Sequence, residues 1–291
     1  MMTPQFINRI VPSFKLFIDH EMLDRGNAYV NITSGKLYNT SDPHFPDKTI
    51  YSSPYRQFVS DSSILGANIP SGVYINNTFT PRGSGNLRID YDLGRGIFDS
   101  SISKSLPSVS CSYAYKEYNV YYAESQDESL IFDAKYPVRP TDLAGNTNTD
   151  PLEYSELTYP CIFIKTQYTE NVPFSFGGLD ESEVDIRCIF LADSPYLLDA
   201  GISIASDMGR KYFPILYPVD MPFNIYGDYK YSNFNYLNLC GNYSKTGILM
   251  ALVESVKISK FAPSANKLIG QNTYGAFADF TVRCIRTPRI N

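Results

Sequence analysis

The sequence predicts a mainly β protein: an antiparallel β-sandwich or barrel-like domain with one or two short helices. Apolar and polar residues alternate in several segments, most clearly Val184, Ile186, Cys188 and Phe190 against Asp185 and Arg187. That period of two is what a strand with one buried face requires. Residues that suit a pleated surface are abundant, with 24 Tyr and 18 Phe among 291 residues. Helical spacing is clear near residues 14 and 195 alone. A chain of this length can be one all-β domain. With no Gly/Ser linker, residues 1–291 read as one β-rich unit, with a helix–hairpin arm at 1–56 and an inserted loop at 133–160.

The first element is a helix over residues 13–25. Phe14, Phe17, Ile18 and Leu23 recur at near-helical spacing, Ser13 suits the N-cap and Gly26 the C-terminal stop. Residues 29–32 and 36–38 then read as a hairpin around Thr33-Ser34-Gly35, and 39–56 as a Pro- and Ser-rich loop. A meander follows from residue 70. Val73-Tyr74-Ile75 turns through Asn76-Asn77 into Thr78-Phe79-Thr80, because paired Asn tolerates the positive φ of a tight turn. Leu87, Ile89 and Tyr91 alternate with Arg88, Asp90 and Asp92, predicting a half-buried strand whose acids face solvent. It returns after Gly94 through Gly96-Ile97-Phe98. Val109, Cys111, Tyr113, Tyr115, Val120 and Tyr122 read as one long ribbon.

Farther along, Cys161-Ile162-Phe163-Ile164 is a short buried strand and 184–190 its alternating successor. Asp193-Ser194-Pro195 announces a helix: Ser194 can cap, and Pro195 fits the first turn, where its missing donor costs nothing. Leu197, Ala200, Gly201 and Ile204 are its expected inward stripe. Residues 247–261 and 275–285 are two closing strands.

Composition narrows the partners. Twenty-five Lys+Arg against 30 Asp+Glu leave a net charge of −5. No basic run exceeds Arg210-Lys211, so the footprint of a sequence-specific nucleic-acid binder is missing. The longest apolar stretch near the C-terminus, Ile248 to Val253, is far short of the ~18 residues that suggest a membrane span. The opening MMTPQFINRIVPSFK lacks the apolar core and cleavage site of a secretory signal.

Catalytic chemistry finds no signature. The five Cys (111, 161, 188, 240 and 284) form no CxxC pair and read as buried reduced thiols. His20 and His44 lie in no metal-ligand or GxSxG context. Asn146, Asn148 and Asp150 only faintly resemble a calcium loop, with a misplaced Gly and no closing acid. No catalytic residue, cofactor or metal is therefore expected. A carboxylate-only glycan hydrolase stays open as a third reading, without a preferred acid pair.

The Tyr- and Asn-rich segment 223–243 offers the one candidate site. Tyr226, Tyr229, Tyr231, Phe234 and Tyr236 crowd a stretch with few aliphatics. Such rings suit a protein contact surface, supplying rigid area plus a hydroxyl. They also suit a platform for sugar rings, or an irregular loop folded over its own aromatics.

Five blocks stand out in order: Phe17-Ile18-Asp19 through Tyr29, SGVYINNTF at 71–79, LRIDYDLGRGIF at 87–98, NVPFSFGGLDESEVDIRCIFLADSPYLLDAGISIASD at 171–207 and RCIRTPR at 283–289. Together they resemble structural proteins of the neck or tail-completion region of tailed bacteriophages. The resemblance implies a non-enzymatic virion component, assembled in the bacterial cytoplasm. It would form a homo-oligomeric ring with neighbouring virion proteins, around a lumen that passes DNA. The alternative is a receptor- or carbohydrate-binding module of a tail fibre or spike.

Overall fold

A computed structural model describes residues 6–99, 108–123, 138–140, 157–174, 178–246, 249–269 and 273–286. Strands make up 46% and helices 21% of the described residues, so these are mainly β, with curled antiparallel sheets as expected.

In chain order the elements begin with α1 (Phe6–Gly26), β1 (Tyr29–Thr40), β2 (Thr49–Ser52), β3 (Gly72–Ile75) and β4 (Thr78–Pro81). There follow β5 (Leu87–Asp90), β6 (Arg95–Phe98), β7 (Val109–Lys116), β8 (Asn119–Tyr122), β9 (Val138–Pro140) and β10 (Leu157–Tyr159). Next come β11 (Cys161–Pro173), β12 (Asp180–Ala192), α2 (Pro195–Ser206), β13 (Tyr212–Pro214) and α3 (Tyr236–Thr246). The last are β14 (Met250–Lys260), α4 (Pro263–Ile269) and β15 (Tyr274–Arg286).

One sheet has seven strands in the order β4-β3-β7-β1-β2-β6-β5, the other six in the order β13-β14-β15-β12-β11-β8. Most pairs are antiparallel, but β8 runs parallel to β11 and β9 parallel to β10. The predicted 109–122 ribbon is thus two strands in different sheets, separated by Glu117 and Tyr118 alone.

α1 joins the two sheets. Phe14 and Phe17 pack on Phe213 of β13, and Phe14 also meets Phe280 of β15 edge-on with ring centroids 5.0 Å apart. On the other side Leu23 shares an apolar cluster with Ala114 of β7, and the Lys116 ammonium donates to Asp19 at 2.7 Å. One face of α1 thus lies in the core, with Ile10, Phe14 and Ile18 fully buried.

Four local expectations need correction. The first helix begins at Phe6, with Pro12 inside it, and Ser13 is no cap. The Ser13 hydroxyl donates to the Arg9 carbonyl and accepts from the Leu216 N–H. The Arg9 guanidinium in turn donates to the carbonyls of Ile215 and Leu216, fastening the first turns despite the proline's missing donor. Residues 29–40 form one strand, not a hairpin. Ser34 with φ 54° marks a bulge between Ile32 and Gly35, and the strand pairs with β7 on both sides of it, up to Leu37. Within 39–56, Thr49–Ser52 is a strand, flanked by β1 and β6. The Asp90 side chain is buried rather than solvent-facing, because Arg95 lies directly across the β5–β6 hairpin to neutralise it.

The Asn76-Asn77 turn forms as read, with φ of 48° and 66°. The Ser194 hydroxyl caps α2 by accepting from the Leu197 N–H at 3.2 Å. Ser194→Ala should cost about 1 kcal/mol, read from chemical denaturation. The inward stripe of α2 is Leu198, Gly201, Ile202 and Ala205, one position round from the expected one. Gly201 holds the closest approach: a Cβ there would sit 2.7 Å from the Tyr118 hydroxyl. Tyr118 is buried and donates to the Leu197 carbonyl, so it cannot yield easily. Gly201→Ala should therefore destabilise by about 1–3 kcal/mol, although Ala is the better helix former. A raised melting temperature would contradict this.

The four described strand Cys are buried, Cys240 is half-buried, and all five are free thiols. Burial pushes the Cys111 and Cys284 thiols up to about 12. Most of the expected 133–160 loop, including Asn146, Asn148 and Asp150, lies outside the described residues.

Candidate functional site

The 223–236 segment is held down by its own aromatics. Tyr229 stacks on Tyr91 with centroids 4.3 Å apart and donates its hydroxyl to the Ser60 carbonyl. Phe223 and Phe234 meet edge-on, and Tyr236 stacks on His20 at 4.6 Å. Arg82 clamps the segment from outside, bonding Asp228 at 2.7 Å and the carbonyls of Tyr231 and Ser232. Tyr229, Phe234 and Tyr236 are thus buried, which removes them from the expected contact surface. Burial of these rings supplies core that a segment poor in aliphatics otherwise lacks. Tyr231 is 61% exposed, and Tyr226 is half-buried. The segment's last residues open α3, which the composition did not suggest. Its signal was Asn235, whose side-chain oxygen accepts from the Asn238 N–H at 2.8 Å as an N-cap does.

Ahead of these rings, residues 221–227 form a tight loop. The Asn224 side chain accepts from the Tyr226 N–H, and the Gly227 N–H returns to the Asn224 carbonyl. Gly227 has φ 71°, and a Cβ there would fall 2.1 Å from Asp90 Oδ1. Glycine alone lets this loop lie on the β5–β6 turn. There it closes a cavity of about 650 Å³ between α1, the 42–45 turn, the β5–β6 turn and β8.

α1 contributes Pro12, Lys15, Leu16 and Asp19, a stripe at helical spacing. Opposite stand Asp42, Asp90, Asp92 and Arg95, with Lys116 at the floor. Every lining cation meets a carboxylate. Lys15 reaches Asp92 at 3.0 Å, Lys116 grips both oxygens of Asp19, and Arg95 joins Asp42 at 2.7 Å to Asp90 at 3.0 Å. The exposed His44 ring contacts Asp42 at 2.9 Å. Aromatic walls come from Tyr122, under the Lys15 ammonium at 4.9 Å, and from Phe45 and Tyr226, 5.5 Å apart.

The carboxylates differ in proton affinity. Burial pushes Asp90 up to about 6, outweighing an Arg95 charge that it shares with Asp42. Asp92 is also penalised by desolvation, but Lys15 outweighs this and holds it below the usual range. For Asp42, the His44 N–H and Arg95 likewise overcome burial and lower it. Asp90 is fully engaged: Oδ1 accepts from the Asp92 and Leu93 N–H groups, Oδ2 from Arg95. Among the described residues, the bonds to Asp92 from Lys15 and Gln57 fall on Oδ1.

His20 lies in a separate buried cluster, with Nδ1 2.7 Å from Asp61. Among the described residues, no group of three or more His, Cys, Asp or Glu is arranged to hold a metal ion. No described helix is long and apolar enough to cross a membrane. Compared with known proteins, the chain matches no family model, no curated protein and no solved structure.

Proposed function

We propose that this chain is a non-enzymatic structural component of a tailed-phage particle, oligomerising at the neck or head–tail connection. The order of the blocks at 17–29, 71–79, 87–98, 171–207 and 283–289 supports the family. The observation that carries a contact role is the far half of β11. Its first four residues are buried, whereas Tyr168, Val172 and the following Phe174 are 55%, 47% and 53% exposed. Apolar side chains grouped at one end of a long strand mark a protein-binding surface more often than a solvated one.

Across this sheet's outer face, Arg187 pairs with Asp279 at 2.6 Å, and Arg283 lies among Glu181, Glu183 and Glu254. A polar face beside an apolar tip suits ring contacts, whose closure needs two different patches on each subunit. The acidic balance is compatible with a passage for DNA, since like charge keeps the duplex off the wall. The carboxylates of the cavity are tied to cations of the fold, and that favours assembly over hydrolysis.

Light scattering after size exclusion should give a multimer, shifted toward monomer by Tyr168→Glu with Phe174→Glu. Particles made without the protein should show unjoined heads and tails in negative stain. A strict monomer whose loss leaves heads and tails joined would overturn the reading.

A further inference from the structure

We propose that the cavity under the 221–227 loop is a binding site for a neutral oligosaccharide, whatever place the chain takes in a particle. Its volume of about 650 Å³ lies within the ~300–1,000 Å³ of small-ligand sites. Charge selects among ligand classes. A phosphate or carboxylate ligand needs a surplus cation, yet Lys15, Lys116 and Arg95 each already hold a carboxylate. The one surplus carboxylate lies between Asp42 and Asp90 around Arg95, with side chains at most 5% exposed. A cationic ligand would therefore have to displace the Lys15 ammonium from Asp92 and leave it uncompensated.

A sugar hydroxyl needs neither surplus. It donates and accepts at once, so it can bridge the carboxylate and the ammonium of a pair without breaking it. Lys15 and Asp92 are placed for this. Their mutual bond uses Asp92 Oδ1, and the Asp92 side chain is 53% exposed. Sugar rings also carry apolar C–H faces, and flat aromatic side chains are their complement. Tyr122 is 49% exposed beside Lys15, and Tyr226 lines the cavity next to Phe45, with the Arg88 guanidinium over its ring at 4.3 Å. The aromatic segment singled out from sequence thus divides: Tyr229, Phe234 and Tyr236 anchor the loop, Tyr231 is open to solvent, and Tyr226 lines the cavity.

The test is titration of the intact protein with neutral di- to tetrasaccharides of glucose, galactose and N-acetylglucosamine, followed by calorimetry. Saturable binding is expected for at least one. Tyr226→Ala and Tyr122→Ala should each weaken it about ten-fold, as loss of a ring contact implies. Tyr231→Ala, a solvent-exposed ring of the same segment that does not line the cavity, should leave it unchanged. Because a Tyr226 variant can lose the loop itself, hydrogen exchange of the wild type provides the second readout. Residues 221–227 should become more protected when the sugar is added. No binding by any of these sugars, or binding equally lost in Tyr231→Ala, would overturn the proposal.

Discussion

Arg95→Met is expected to remove about 3–5 kcal/mol of folding stability near neutral pH, the cost of stranding a buried charge. Two carboxylates depend on this guanidinium, and all three side chains are at most 5% exposed. Methionine fills a similar volume, so the loss is electrostatic rather than a packing defect. The pH dependence separates the two. Asp90 already has its proton affinity raised to about 6, so the folded state binds protons more tightly than the unfolded one. For such a group stability is gained as pH falls from about 6 toward 4. Without Arg95 that window widens upward, and the gap between variant and wild type should narrow between pH 7 and pH 5 in urea denaturation. A gap that stays constant across this range would refute the electrostatic origin.

Asp61→Ala should cost a comparable ~3–5 kcal/mol, because one carboxylate ties three segments together. It is 1% exposed and bonds the His20 ring of α1, the Ser63 N–H and hydroxyl, and the Tyr236 N–H where α3 starts. Burial raises its proton affinity, but these bonds outweigh burial and leave it below the usual carboxylate value. The sign is opposite to that of Asp90. Stability from Asp61 is fully present above the unfolded carboxylate value of ~3.9 and is lost as pH falls through the lower, folded one. Wild type should therefore lose its advantage over Asp61→Ala only in strong acid. Asp61→Asn should recover part of the loss, since its side-chain oxygen still accepts from the backbone. Far-UV dichroism of the Ala variant should also show fraying of α3.

The best-read elements are those whose signals are local. Alternation over Val184–Phe190 and Ala278–Cys284 announces strands because each has one buried face. Ser194-Pro195 announces a helix because cap and first-turn geometry are set within a few residues. Local signals misled where distant groups decided the outcome. Ser13 looks like a cap, but its hydroxyl answers Leu216, 203 residues away. Ser34-Gly35 looks like a turn, but pairing with β7 draws the residues on either side into one bulged strand. The cavity was the least legible feature. Two of its ion pairs join residues 77 and 97 positions apart, and no periodicity within one segment encodes such a meeting. Tyr226 was picked out by composition, which could not divide the rings that anchor the loop from the one that lines the cavity.

The two-residue step from β7 to β8 has a mechanical consequence. Lys116 ends a strand of one sheet, and Asn119 begins a strand of the other, so Glu117 and Tyr118 act as a covalent stitch. The Tyr118 ring is wedged under α2, and the Glu117 N–H is bonded to the Ala28 carbonyl at the exit of α1. Slack is thus scarce at the seam. A load on one sheet passes to the other through backbone rather than through side-chain friction, and the sheets should yield together. In a pulling experiment with handles on opposite sheets, this predicts one rupture event where a slack tether would give two.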